Sequence, residues 1–118
     1  MPDLLTEALA ALANPTRREI LRRLSHHPAL HSSHLRQGLG CSRQAVLKHL
    51  QVLELAELIT SQGDHGWHVF ELQADGFVAI DEWLQRFRSR LKADVARMAL
   101  YSMEIAEDGS WEDPWDSG

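Results

Sequence analysis

The 118 residues include one cysteine, Cys41, and one tyrosine. A lone thiol excludes an intramolecular disulfide framework and any cysteine-rich zinc site, and it suits a reducing cytoplasm. Glycine and proline are also few, seven and four, beside 44% hydrophobic and 25% charged residues. That is the composition of an ordinary soluble globule. No apolar run approaches the roughly 18 residues a membrane span needs. The chain opens on acidic Met1-Pro2-Asp3 and its first basic residue is Arg17, which argues against a secretory signal. No motif sets a Ser/His/acid or Cys/His arrangement, a phosphate-cradling glycine loop or a metal cluster, so neither an enzyme nor a cofactor is expected. What remains is the length of one compact domain, of roughly 100–150 residues.

Positive charge is short overall, with 12 bases against 17 acids and a net charge of −5. That mean conceals segregation. From Pro15 to Leu53 seven bases (Arg17, Arg18, Arg22, Arg23, Arg36, Arg43, Lys48) meet one acid, Glu19. The last fifteen residues carry six acids and no base. Such asymmetry predicts a basic functional face and an acidic appendage.

Leu4, Leu5, Ala8, Leu9 and Leu12 recur with helical spacing, predicting a first helix over 3–13. Asn14 caps a second with Pro15 at its first position, reaching about Ser25; Thr16-x-x-Glu19 offers a competing capping box. Ser32 or Ser33 caps a brief third helix with Leu35 and Leu39 inward. Gly38-Leu39-Gly40 turns the chain, and Ser42 caps a fourth helix reaching about Leu55. Ile59–Gln62 and Trp67–Leu72 read as strands of a hairpin around Gly63-Asp64-His65-Gly66. A long helix starts near Asp75, with Phe77, Ile80, Leu84, Phe87 and Leu91 on one stripe that Val95, Met98 and Ile105 continue. Residues 1–105 form the domain, and 106–118 an acidic, mobile tail holding Trp111 and Trp115. The expected class is mainly α with a small β-hairpin: a winged helix–turn–helix.

On a helical wheel from Ser42 to Leu53, Val46, Leu50 and Leu53 share one side and His49 borders it. Gln44, Lys48 and Gln51 lie opposite, with Arg43 and Leu47 alongside. Glutamine can pair with adenine, arginine with guanine, and an exposed leucine can meet a thymine methyl. Ser42 and the helix N-terminus suit a phosphate. The partner these residues fit is double-stranded DNA, with Ser33 and the wing residue His65 as further contacts. The rival is a winged-helix module whose basic face docks an acidic protein.

Ala10-Ala11-Leu12-Ala13-Asn14-Pro15-Thr16-Arg17-Arg18-Glu19-Ile20-Leu21 resembles the opening of the ArsR family of bacterial repressors. Ser42-Arg43-Gln44-Ala45-Val46-Leu47-Lys48-His49-Leu50, then Leu53 and Glu57-Leu58-Ile59, is similar to that family's recognition helix and wing entry. The resemblance implies a homodimeric repressor on an inverted-repeat operator, with the first and last helices pairing the copies. A small-molecule inducer of unstated kind is compatible with it. Leu4, Leu5, Leu9 and Leu12, with Leu91, Val95 and Met98, are the expected dimer patch.

Two departures stand out. The family's paired-cysteine metal motif is replaced by Ser33-His34-Leu35-Arg36-Gln37, and no histidine follows His68. Both family metal sites are therefore missing, and no metal is expected. The wing has no Lys or Arg between Lys48 and Arg86. Only His65 and His68 are left to carry its positive charge, so its contribution should grow as pH drops toward 6. Cys41, just before the cap of the fourth helix, is either inert packing or a redox-sensitive thiol.

Overall fold

The computed structural model describes residues 3–63 and 68–108. Its elements run α1 (Leu4–Leu12), α2 (Pro15–His26), β1 (Leu30–His31), α3 (Ser32–Arg36), α4 (Arg43–Leu55), β2 (Ile59–Gln62), β3 (Val69–Leu72) and α5 (Ala74–Asp108). Contacts divide the chain into Met1–Trp83 and Leu84–Gly118. The first unit is a winged helix–turn–helix. The second consists, among the described residues, of the rest of α5. The segment 106–108, expected in the tail, is helical; 109–118 lie outside the described residues.

The helix starts follow the sequence with one correction. Asp3 caps α1 by accepting from the Thr6 N–H at 2.7 Å. Asn14 caps α2, accepting from the N–H groups of Thr16 and Arg17 at 2.8 and 3.1 Å. That settles the register, and Glu19 is released to pair with Arg22 and Arg23 instead. The cap of α3 is neither Ser32 nor Ser33. His31 takes that place, its Nδ1 accepting from the Ser33 N–H at 3.1 Å. Serine is the usual capping residue, but here the chain already turns helical at Ser32.

The sheet is larger than a hairpin. β1 pairs antiparallel with β3, Leu30 opposite Phe70 and His31 opposite Val69, and β3 pairs with β2, giving the order β1-β3-β2. A two-residue strand has no period to read, so it escaped prediction. β3 begins at Val69, and Trp67 lies outside the described residues.

The core of the first unit joins Ile20, Leu21 and Leu24 of α2, Leu35 of α3, Val46, Leu50 and Leu53 of α4, then Leu58, Ile59 and Phe70. From α1 the fully buried residues are Ala8 and Ala11, not the leucines. Small side chains let α1 lie close on α2 and α4, leaving Leu4 and Leu5 half-buried and Leu9 exposed. Leu12, expected at a dimer surface, packs against its own core. Half-buried Cys41 does likewise, its thiol donating to the Leu39 carbonyl at 3.5 Å.

The end of α4 stores strain. Leu58 N–H donates to the Leu53 carbonyl and Glu57 N–H to that of Glu54, at 3.1 and 3.0 Å. This pair of bonds is a Schellman closure, which needs its C′ residue left-handed. Glu57 fills that place at φ 54°, where a β-carbon costs roughly 1–2 kcal/mol. Glu57→Gly should therefore stabilise the protein by about 1 kcal/mol, partly offset by glycine's larger unfolded-state entropy. A denaturant midpoint at or below that of the wild type would contradict this.

Candidate nucleic-acid interface

Ser42 anchors the presenting helix. Its Oγ accepts from the Ala45 N–H at 3.1 Å, and its carbonyl receives the first helical bond, from Val46, at 3.0 Å. The caps leave the N–H groups of Arg43 and Gln44, at the first two helical positions, outside the ladder. Val46, Leu50 and Leu53 seal the inner side of α4, each at most 2% exposed. Arg43, Gln44, Leu47, Lys48 and Gln51 are all exposed, as the helical wheel predicts. Ser33 is exposed at the start of α3. His65 lies outside the described residues, whereas His68 is described and exposed.

The basic face is smaller than the charge count implies, because α2's arginines are engaged in holding the frame together. Arg17 donates through Nε to the Ala11 carbonyl at 2.8 Å and through Nη2 to that of Ala10 at 3.2 Å. Arg18 donates to the Leu12 carbonyl at 2.6 Å. These guanidiniums cap the carbonyls at the end of α1, sharing that of Ala10 with the Ala13 N–H, where the helix dipole also favours a cation. Arg23 reaches across to α3, donating to the carbonyls of Leu35 and Gln37, and it pairs with Glu19 at 3.1 Å. Arg22 is bidentate on the same carboxylate at 2.7 and 2.8 Å. Hydrogen bonds from Arg22 and then Arg23 pull the Glu19 pKa down to about 2. The cations left for a ligand on this side are Arg36, Arg43 and Lys48, and no ion pair among the described residues engages them.

His49 connects this frame to α4. Its Nδ1 faces Nη1 of Arg17 at 3.3 Å; a guanidinium only donates, so the neutral ring carries its proton on Nε2. Burial, and then the Arg17 charge, lower the His49 pKa below 6.5. The unfolded chain therefore binds this proton first. The stability His49 contributes is full above about pH 6.5 and is lost as pH falls through its lowered value. Melting curves between pH 7.5 and 5.5 should fall more steeply in the wild type than in His49→Gln. Parallel falls would refute the coupling.

A cleft of about 370 Å³ lies between α3, the start of α4 and the foot of β3, lined by His31, Ser32, Ser33, Arg36, Arg43, Val46, Leu47 and His68. The spacing of α4 could foretell Arg43 and Leu47. It could not foretell Arg36 and His68 beside them, because the turn and the β1–β3 pairing bring these in from elsewhere. Among the described residues, no group of three or more His, Cys, Asp or Glu is placed to hold a metal ion. No described helix is long and apolar enough to cross a membrane.

On α5, Leu84, Phe87, Leu91 and Met98 are exposed, each between 42 and 50%. Their spacing is that of one helical stripe. The Val95 side chain lies outside those described.

Known proteins share this architecture. A helix-turn-helix domain family matches residues 12–62. The HTH-type transcriptional regulator Rv2034 of Mycobacterium tuberculosis is 37% identical over 91 residues, covering 77% of this chain and 84% of the relative. The crystal structure of an ArsR family transcriptional regulator, RHA00566, superposes with a TM-score of 0.70 at 26% identity, over 78% of this chain and 94% of that one. An ArsR-like transcriptional regulator from Rhodococcus sp. RHA1 gives 0.62 at 26% identity, over 84% and 92%.

Proposed function

The chain belongs to the ArsR family of winged helix–turn–helix transcriptional regulators, and on that premise we propose a homodimeric repressor that inserts α4 into the major groove of an inverted-repeat operator. The observation that carries this reading is the two-sided character of α4. Its apolar side is sealed in the core, while Gln44, Leu47, Lys48 and Gln51 stay exposed. A helix held rigidly from behind, with amide, methyl and ammonium groups outward, suits the reading of base edges.

In this reading Gln44 and Gln51 meet bases, Leu47 a thymine methyl, and Lys48 a backbone phosphate. Arg43, Ser42 and Ser33 sit at the phosphate-facing start of the helices, and His65 remains the proposed wing contact. A stripe of α5 pairs two copies, with Leu91, Val95 and Met98 at its centre and Leu4, Leu5 and Leu9 of α1 as a second patch. Leu12, held by its own core, serves there only as support.

Nuclease footprinting on DNA upstream of the protein's own coding region tests this. Two protected half-sites about one helical turn apart are expected, and a uniform cleavage pattern would overturn the reading. Gln44→Ala should cost about 1–3 kcal/mol at one base position. Lys48→Ala should weaken every sequence alike and flatten the salt dependence by about one unit per phosphate. Loss of base preference in both variants would contradict these separate roles.

A further inference from the structure

The cleft between α3 and α4 differs in chemistry from the rest of the outward face. Arg36 comes from the last turn of α3, Arg43 from the first turn of α4, and His68 from the foot of the wing. Ser32 and His31 complete a rim on which, among the described residues, no carboxylate stands, and Leu47 lies within the same lining. Because the His31 Nδ1 accepts from the Ser33 N–H, a neutral His31 ring carries its proton on Nε2. Two guanidiniums are thus held at one cavity by separate helices, beside the N–H groups that the Ser42 cap leaves outside the ladder. Guanidinium forks match phosphate oxygens, and an apolar neighbour such as Leu47 strengthens them by displacing water. A volume of about 370 Å³ falls within the range of small-molecule sites. It has room for a phosphoryl group with a substituent attached.

We propose that this cleft is a phosphoryl-binding site, taking a phosphate group from a duplex backbone or from a free phosphorylated small molecule. The two compete for it, so a phosphorylated ligand loosens the protein from DNA. The duplex source rests on the proposed function; the free source does not. The site also accounts for a wing without lysine or arginine, since the charge such a wing would supply lies at its foot.

The test uses the full chain in chloride buffer at fixed ionic strength, with inorganic phosphate and methyl phosphate as probes. Amide NMR shifts at Ser32, Arg36 and Arg43 should saturate with either probe, and the probes should displace bound duplex. Saturation should vanish in Arg36→Gln/Arg43→Gln and persist in Arg90→Gln, with far-UV dichroism and melting curves reporting that each variant is folded. The double variant should also flatten the slope of log affinity against log salt by about one unit per subunit. Saturation with an unchanged slope keeps the free-ligand site and refutes the competition, and a flattened slope without saturation overturns the small-molecule site and leaves a backbone contact alone. If neither moves, the proposal is overturned. Saturation without any footprint leaves the site standing and removes the DNA reading.

Discussion

Gly76→Ala should lower the melting temperature by roughly 10 °C, although the substitution places a better helix former inside α5. Propensity alone predicts a gain of about 1 kcal/mol. Packing predicts the reverse. A β-carbon built on Gly76 would collide with the Ala56 carbonyl oxygen and stand 2.7 Å from Cδ2 of Leu58 and 2.9 Å from the Glu57 carbonyl oxygen. Two of these are backbone atoms of the closure after α4, and Leu58 is fully buried. The Gly76 N–H also donates to the Glu57 carbonyl at 2.8 Å. Relieving the collision moves the first turn of α5 away from that carbonyl. Overpacking costs about 1–3 kcal/mol and the lost bond about 1 kcal/mol, so the net loss is about 2 kcal/mol. For a domain near 100 residues this corresponds to about 10 °C. Gly40 supplies the contrast, because a β-carbon there meets nothing within 4 Å. Its φ of 70° limits the cost of Gly40→Ala to about 1–2 kcal/mol. A melting temperature for Gly76→Ala equal to or above the wild type would show that the two elements are free to part.

Phe87→Glu/Leu91→Glu should convert the protein to a monomer by light scattering and weaken operator binding by about 10²–10⁴-fold. Both side chains are exposed on the α5 stripe, at 42 and 49%, and with Leu84 they line an apolar hollow beside Arg88, Ser89 and Lys92. Surface glutamates at these places cost little in a single chain, whereas in a dimer they would be desolvated without partners. The fall in affinity follows from linkage. In the proposed dimer, two recognition helices on one particle would meet the second half-site at high effective concentration, and separating the copies forfeits that advantage. Dimer mass with weakened DNA binding, or monomer mass with full affinity, would each contradict the account.

The sequence and the structure agree most closely where period and capping coincide. Val46, Leu50 and Leu53 recur at helical spacing behind a serine cap, so the orientation of α4 was readable residue by residue. What escaped depends on partners distant along the chain. The α1 stripe suggests buried leucines, but the close seat against α2 and α4 selects Ala8 and Ala11. The four arginines of α2 look like free charge because a charge count does not see backbone carbonyls. Three of them, Arg17, Arg18 and Arg23, bind carbonyls 6–14 residues away. His31 was hidden by the serines after it, and β1 by its brevity. Gly76 reads as a blemish in a helix until the Ala56 carbonyl is placed beside it.

Arg23 bears on how any mutational survey of this protein should be interpreted. Its guanidinium fixes where α3 ends, and so the angle at which the following helix is offered, without itself being a cation left over for a ligand. A scan scored on potency alone would file Arg23 with the residues that touch the target. Counter-ion release tells them apart: Arg23→Gln should bind more weakly at every ionic strength with an unaltered gradient, the mark of a strut and not of a contact.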